Sequence, residues 1–435
     1  MSKGFTMQFF NIRELLTGKH VDEEVNLRGW VARKRSGKNL AFLTLRDSTG
    51  RMQVSIKRKQ AEEAYEKATD VGYEAAVIVK GKLVKDERAP DGYEIRASDL
   101  QIIGKADNFP ITKDFSQEFL LDVRHLALRT EKMTAMLKIR SSIVEAIHQY
   151  LRGEGYIEVQ PPIFTTAGSE GGSTLFEVDY FGDKIFLSQS WQLYAENFIY
   201  AVEKAYTIAP SFRAEKSKSA RHVTEFWHAE MEAAWLEFEG LLQAMEEIIT
   251  TICQNVVKNN KFELEILGQK PEDLLKIKPP FPRITYDETL KLLKENGMEV
   301  PYGQDLGQHE EREIGKLFKK PVLITHYPRE IMAFYKKVDP KNSKVCLNAN
   351  LIVPDVGEII DGSERESDID EILKSLEHEG TDPADVDFYL DTRRYGSVPH
   401  SGFGLGIDRV VMWICGFDTI KDAIAFPRTM TRIKP

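Results

Sequence analysis

The stretch from Phe212 to Glu232 reads F-R-A-E-K-S-K-S-A-R-H-V-T-E-F-W-H-A-E-M-E. Two short alternating runs flank a small, polar, basic loop, which is the pattern of a hairpin. Alternation places Arg213 and Glu215 on one face of the first run, and Phe226, His228, Glu230 and Glu232 on one face of the second. Charged residues on a strand are mostly solvated, so a plain outer face is the default reading. The loop changes that balance. Lys216, Lys218, Arg221 and His222 lie between the runs, where they can grip a polyphosphate while the carboxylates below orient amines or a metal. Phe226 offers a stacking surface for a base. The pattern predicts a nucleotide site built without a P-loop.

The rest of the chain bounds the class. With 435 residues there is material for two or three domains with full cores. A formal charge of −9 excludes nucleic-acid binding by overall basicity and leaves only a local patch. The three cysteines, Cys253, Cys346 and Cys415, form no C-x-x-C pair, so no zinc site or disulfide framework is indicated, and a cytoplasmic setting is expected. Met1 to Asn11 lacks a signal-sequence pattern, and no run reaches the roughly 18 apolar residues of a membrane span.

N-terminal to the hairpin, residues 25–104 are strand-rich, with D-S-T-G (Asp47 to Gly50) as a turn and a helical stretch over Gln60 to Asp70. Five short strands and one helix predict a small closed barrel of the OB kind within residues 1–105. Arg33, Lys34, Arg35 and Lys38 form a basic rim, with Phe42 and Gln53 on the strands that follow. A basic rim, a stackable ring and an amide suit single-stranded nucleic acid. By itself, Phe42 reads better as core. Residues 106–129, with Pro110, read as a linker. A long amphipathic helix is predicted from Thr130 to Glu154, ended by Gly153 and Gly155. Further strands are expected at 185–188, 206–212, 224–232, 322–325, 333–336 and 346–352, and helices at 192–203, 236–257, 286–295 and 368–379. Hairpins outnumber crossovers, so residues 130–435 are expected to form an antiparallel sheet flanked by helices, class α+β.

Three segments together resemble the signature of class II aminoacyl-tRNA synthetases, and of their aspartyl/asparaginyl/lysyl branch. G-Y-I-E-V-Q-P-P (Gly155 to Pro162), closing the long helix, is similar to motif 1, the dimer-forming element. Phe212 to Glu232 is similar to motif 2, and G-F-G-L-G-I-D-R (Gly402 to Arg409) to motif 3. The resemblance implies that Arg213 grips the α-phosphate of ATP, that Glu215, Arg221 and His222 position the adenine and outer phosphates, and that Phe226 and Arg409 sandwich the adenine, with Arg409 also reaching the γ-phosphate. Arg213 and Arg409 would then be the catalytic cations. It further implies an amino-acid pocket made by Glu170, in S-E-G-G-S-T, by Gln192, in Q-S-W-Q-L-Y, and by Glu230 and Arg365.

Aspartyl enzymes of this type carry a lysine where this chain has Ala195 and an aspartate where it has Glu230. One cation and one carboxylate complement a neutral amide and repel a second carboxylate, so asparagine is the expected amino acid. The plain alternative for Glu230 is a structural ion pair, with Arg365 for example. Glu358 matches the family's magnesium-binding glutamate, while the usual preceding aspartate is replaced by Asn350. Asp361, commonly glycine or serine in relatives, is placed to restore the lost charge as a second Mg2+ ligand. In the barrel, Phe42 and Gln53, beside Arg33 and Arg35, match positions that stack on and read the central anticodon base. The resemblance thus reverses the core reading of Phe42. The implied protein is a homodimeric ligase that uses ATP and Mg2+ to join asparagine to tRNA(Asn). An aspartyl-tRNA synthetase, an asparagine synthetase of the same fold and an inactive RNA-binding relative are the alternatives.

Overall fold

The computed structural model describes residues 8–111, 115–166, 168–169, 174–217 and 219–435. The chain divides into two compact units, residues 1–119 and 120–435.

The first unit carries β1 (Glu24–Ser36), β2 (Leu40–Arg46), β3 (Arg51–Lys57), α1 (Glu62–Asp70), β4 (Ala76–Lys85) and β5 (Tyr93–Gly104). The strands close into a barrel in the order β1-β2-β3-β5-β4, the OB-type arrangement expected. Period-two alternation decides which side chains enter it. On β2, Ala41, Leu43 and Leu45 are buried while Phe42, Thr44 and Arg46 are not. The D-S-T-G turn forms because Asp47 Oδ1 accepts from the backbone N–H groups of Thr49 (2.6 Å) and Gly50 (3.0 Å).

The second unit is built on an eight-stranded sheet. Its long helix α2 (Glu131–Gly153) starts where Thr130 accepts from Met133 N–H, and turns Met136, Ile139, Ile143 and Ile147 into the core. Gly155, at φ +84°, makes the bend out of the helix that a side chain would resist. There follow β6 (Ile157–Glu158), α3 (Gln192–Val202), β7 (Lys204–Phe212), β8 (Glu225–Ala234), α4 (Phe238–Ile266), β9 (Arg283–Thr285), β10 (Val322–Thr325), β11 (Asn348–Val353), β12 (Gly357–Glu364), β13 (His400–Gly406) and α5 (Ile407–Cys415). The sheet order is β9-β10-β11-β12-β13-β8-β7-β6. Only the outermost pairs, β9/β10 and β6/β7, are parallel; every inner pair is antiparallel. One face of the sheet packs on α2, α4 and α5 through Met231, Leu351, Ile360, Phe403 and Leu405, which leaves the other face for a polar cleft.

Three local expectations differ from the structure, and the first is the linker read over residues 106–129, whose later part forms the helices Gln117–Asp122 and Arg124–Ala127 with Arg124 buried. Residues 333–336 are a turn, not a strand, because Phe334 and Tyr335 drop into a satellite core with Ile372 and Tyr389. The helix expected over 236–257 runs on to Ile266 through a non-helical Asn260. Strands β12 and β13 lie at the centre of the sheet although neither alternates cleanly in sequence. Among the described residues no helix is long and apolar enough to cross a membrane.

Candidate active site

The hairpin that opens the sequence reading is β7 and β8, paired from Lys204↔Ala233 to Phe212↔Glu225. On β8, residues 226, 228, 230 and 232 share one face, and Phe226, His228 and Glu230 on it floor a cleft of about 650 Å³, with Glu232 fully buried. The neighbouring strand β13 supplies glycines directly opposite the carboxylates, Gly404 against Glu230 and Gly402 against Glu232. A Cβ on Gly402 would fall 2.0 Å from Glu232 Oε2, so the first glycine of G-F-G-L-G is what allows the close approach to this buried acid.

At one end of the cleft stand the residues predicted to hold ATP. Arg213 lies 5.4 Å from the centre of the Phe226 ring, and its Nη1 is 3.9 Å from Glu215. His222 faces Glu215 at 3.5 Å and is fixed by the hydroxyls of Ser217 and Ser219. Burial lowers its pKa, with Arg409, Arg221 and Arg213 adding to the effect against the pull of Glu215. Arg221 is buried against Glu311. Burial and the Glu358 carboxylate push Glu311 up to about 7, against the pull of Arg221. Arg409, in the first turn of α5, donates from Nη1 to Glu358 Oε1 (2.7 Å) and to the Glu358 carbonyl (3.0 Å). The adjoining Asp408 is structural: it accepts from Trp227 N–H and pairs with Arg140 on α2, tying β8, α5 and α2 together.

At the other end stand Gln192, Glu230 and Arg365. Glu230 accepts from the Ser190 hydroxyl and from Trp191 N–H (3.2 Å). Arg365 does not pair with Glu230. It is bidentate on Glu232, Nε to Oε1 at 3.0 Å and Nη2 to Oε2 at 2.9 Å, and its Nη1 donates to Ser363. Gln192 Nε2 donates to Glu196 (2.5 Å) and Glu232 (3.4 Å). Below them lies a fully buried layer that sequence reading missed. Glu196 joins Arg393, His400 and Tyr389. Burial pushes the Glu196 carboxyl up, but Arg393, His400 and Arg365 outweigh it and hold it well below the usual range. Glu196, Glu232 and His400 bring ligand atoms within 4.8 Å of one another, yet the two carboxylates are already balanced by Arg365 and Arg393, so this cluster is ionic framework. Ala195 is buried with Trp191 and Ala205.

His228 sits between the two ends, accepting from or donating to Ser211 Oγ at 3.2 Å. Burial, then Arg213 and Arg409, keep it neutral at pH 7.

Glu358 and Asp361 are three residues apart on β12, a spacing that in a regular strand points to opposite faces. A bulge corrects this: Ile352 pairs with Glu358 and Leu351 with Ile360, which leaves Ile359 as the extra residue. Both carboxylates therefore enter the cleft. Asn350, on β11, donates from Nδ2 to Glu358 Oε2 at 2.8 Å, while its Oδ1 is buried without a hydrogen-bond partner among the described residues. Two carboxylates and an orphaned amide oxygen are a hard-oxygen set that fits a divalent cation of the magnesium type. Lys336 also reaches the cleft and donates to both oxygens of Asp361.

Glu170 lies outside the described residues; Ser169 beside it lines the cleft. Arg33, Arg35, Phe42 and Gln53 belong to the first unit and share the outer side of its barrel. Arg35 is paired opposite Phe42 and lies 5.1 Å from its ring centre. Gln53 donates to the buried Glu94 at 3.1 Å, which leaves its carbonyl oxygen as an acceptor. Phe42 is thus outside the barrel core.

The family model of tRNA synthetases class II (D, K and N) matches residues 116–430, and that of the OB-fold nucleic acid binding domain matches residues 25–103. An asparagine–tRNA ligase of Thermoplasma acidophilum is 44% identical over 98% of this chain and 100% of the relative. One of Thermococcus gammatolerans is 45% identical over 95% and 96%. Among solved structures, asparaginyl-tRNA synthetase from Pyrococcus horikoshii complexed with asparaginyl-adenylate superposes with a TM-score of 0.95 at 42% identity, covering 99% of this chain and 100% of that one. A barrel of OB type, an antiparallel sheet carrying this hairpin, and family matches across both units place the chain in the class II aminoacyl-tRNA synthetases, in the group that handles aspartate, lysine and asparagine.

Proposed function

We propose that the chain activates asparagine with ATP and transfers it to tRNA(Asn). The observation that carries the reading is the single row of side chains on β8. It passes from Phe226, flanked by Arg213, to Glu230, with Arg409 at one end of the cleft and Arg365 at the other, so one surface serves a nucleotide and an amino acid end to end. In the first step a carboxylate oxygen of asparagine attacks the α-phosphorus, the new P–O bond forms, and the bond to diphosphate breaks. That step needs charge neutralisation and in-line placement more than proton transfer. Arg213 is positioned for the α-phosphate, Phe226 and Arg409 for the two faces of adenine, and Glu215, Arg221 and His222 for the base and outer phosphates. Glu170 and Gln192 take the amino-acid backbone end, while Glu230 accepts the side-chain amide N–H and Arg365 donates to its carbonyl. In the second step a terminal ribose hydroxyl of tRNA attacks the activated carbonyl and AMP leaves.

Glu358, Asp361 and the Asn350 amide oxygen would hold a Mg2+ ion, which when bound supplies positive charge to the phosphates. In the barrel, Phe42 would stack on an anticodon base, Gln53 would read its edge, and Arg33 and Arg35 would meet the backbone; this local patch reconciles tRNA binding with a net charge of −9. Residues 1–105 thus recognise the anticodon, 106–129 connect, and 130–435 carry out the chemistry. The chain acts as a homodimer through α2 and β6, the edge strand whose Ile157 is half exposed. A cytoplasmic setting agrees with three free, buried cysteines. Charging of a tRNA(Asn) transcript with labelled asparagine tests the reading. Asparaginyl-tRNA is the expected product; charging with aspartate alone would overturn it.

A further inference from the structure

Lys336 is a cleft residue to which the roles above give no task. Its place is fixed by its neighbours: Phe334 and Tyr335 are buried in the satellite core, and the Lys336 backbone bridges to Arg365. Its side chain is 7% exposed, and Nζ donates to Asp361 Oδ1 at 2.9 Å and Oδ2 at 2.8 Å. An ammonium carries three N–H donors, so a third is left over on a residue that lines the cleft. Among the described residues no other hydrogen-bond partner of Nζ is present. Burial and Glu358 raise the Asp305 carboxyl and Lys336 opposes them, while at Glu358 burial is opposed by the three arginines Arg409, Arg221 and Arg213 ahead of Lys336, so its charge is within electrostatic reach of the acidic side of the cleft.

The cleft's own charges therefore neutralise one another in two pairs. Arg409 sits on Glu358, and Lys336 sits on Asp361. A polyphosphate competes for the cations, and a divalent ion competes for the carboxylates. Either ligand alone would strip one partner from a half-buried pair, Arg409 with Glu358 or Lys336 with Asp361, and leave the other uncompensated, which costs more than at an exposed pair. Both together exchange partners without stranding a charge.

We propose that Lys336 is a phosphate-binding residue held in reserve on Asp361: the phosphate chain of ATP takes over the ammonium, and the released Asp361 carboxylate becomes free for a divalent cation. The inference rests on the reading of this cleft as the ATP site. It makes ATP and the cation bind cooperatively through the protein, beyond their association in solution.

Two binding measurements on the full-length protein test it. ATP is titrated calorimetrically in EDTA, and Mn2+ binding is followed by electron paramagnetic resonance without nucleotide. Lys336→Met weakens ATP binding in EDTA by about tenfold or more, the loss of a charged hydrogen bond, and tightens Mn2+ binding because Asp361 loses its competitor. Asp361→Asn has the opposite signs, tightening ATP binding in EDTA and weakening Mn2+. Lys336→Arg retains ATP binding, which separates a phosphate contact from a loss of fold. Unchanged ATP affinity in Lys336→Met, or both variants shifting both ligands in the same direction, would overturn the proposal. A parent protein that binds no ATP and catalyses no diphosphate exchange would instead reject the ATP-site reading itself, and the proposal with it.

Discussion

Replacing Glu232 by glutamine perturbs its ion pair with Arg365 at the end of the cleft proposed for the amino acid. Arg365 is 4% exposed and Glu232 0% in their side chains, and the two share a bidentate contact at 3.0 and 2.9 Å. Removing one partner of such a pair costs about 3–5 kcal/mol, since the remaining charge stays buried. Glutamine keeps one acceptor oxygen for Arg365 but turns an NH2 group toward the other guanidinium nitrogen. Glu196 still contributes a compensating charge nearby, as its influence on Arg365 shows. The expected loss is therefore at the lower end, about 3 kcal/mol. For a unit spanning residues 120–435 that corresponds to a fall in Tm of roughly 4–5 °C, measured by calorimetry of the variant against the parent. In diphosphate exchange the same variant raises the KM for asparagine by about tenfold or more while leaving the KM for ATP near the parental value, because the arginine that loses its brace is at the amino-acid end. Glu225→Gln, on the exposed side of the same strand, serves as control and changes stability by no more than about 0.5 kcal/mol. A Glu232→Gln protein melting within about 1 °C of the parent would refute the buried-pair reasoning.

Glu230→Gln removes the charge that disfavours a second carboxylate, so the asparagine-to-aspartate ratio of kcat/KM falls by about tenfold or more; an unchanged ratio would remove Glu230 as the discriminating group. Phe42→Ala lowers kcat/KM for tRNA charging by about tenfold and leaves diphosphate exchange untouched, as a stacking contact worth about 1–3 kcal/mol requires. The Glu196 carboxyl is held well below the ordinary value of a glutamate, so the native state binds fewer protons than the unfolded chain in acid. Its contribution is complete above that value and is lost as pH falls through and below it, and acid denaturation of Glu196→Gln should be less steep over this window than that of the parent.

Much of the site was legible because it lies on regular elements. Alternation alone put Phe226, Glu230 and Glu232 on one face, and the basic loop between the runs marked the end proposed for the phosphates. In the barrel, the same alternation turns Phe42 outward beside Arg35, against its reading as core on residue type alone. What sequence did not reveal depends on contacts between distant segments. Glu232 meets Arg365 across 133 positions and Glu196 meets His400 across 204, so neither pairing leaves a local trace. Glu232 did carry a signal, two residues from Glu230 on the same face, but nothing local says which carboxylate takes the arginine. Strand β12 escaped notice because the bulge at Ile359 breaks its alternation, and that bulge is what turns Glu358 and Asp361 to the same side. Lys336 follows an apolar pair that mimics a strand, and only the burial of Phe334 and Tyr335 reveals a turn that delivers its ammonium to the cleft.

The most direct test of the account is ATP–diphosphate exchange by the parent protein with asparagine and aspartate measured side by side in the presence of Mg2+. Exchange dependent on asparagine, with aspartate poorer by roughly a hundredfold as a like-charge clash with Glu230 demands, is the predicted result. Exchange with aspartate equal to or above that with asparagine would contradict it.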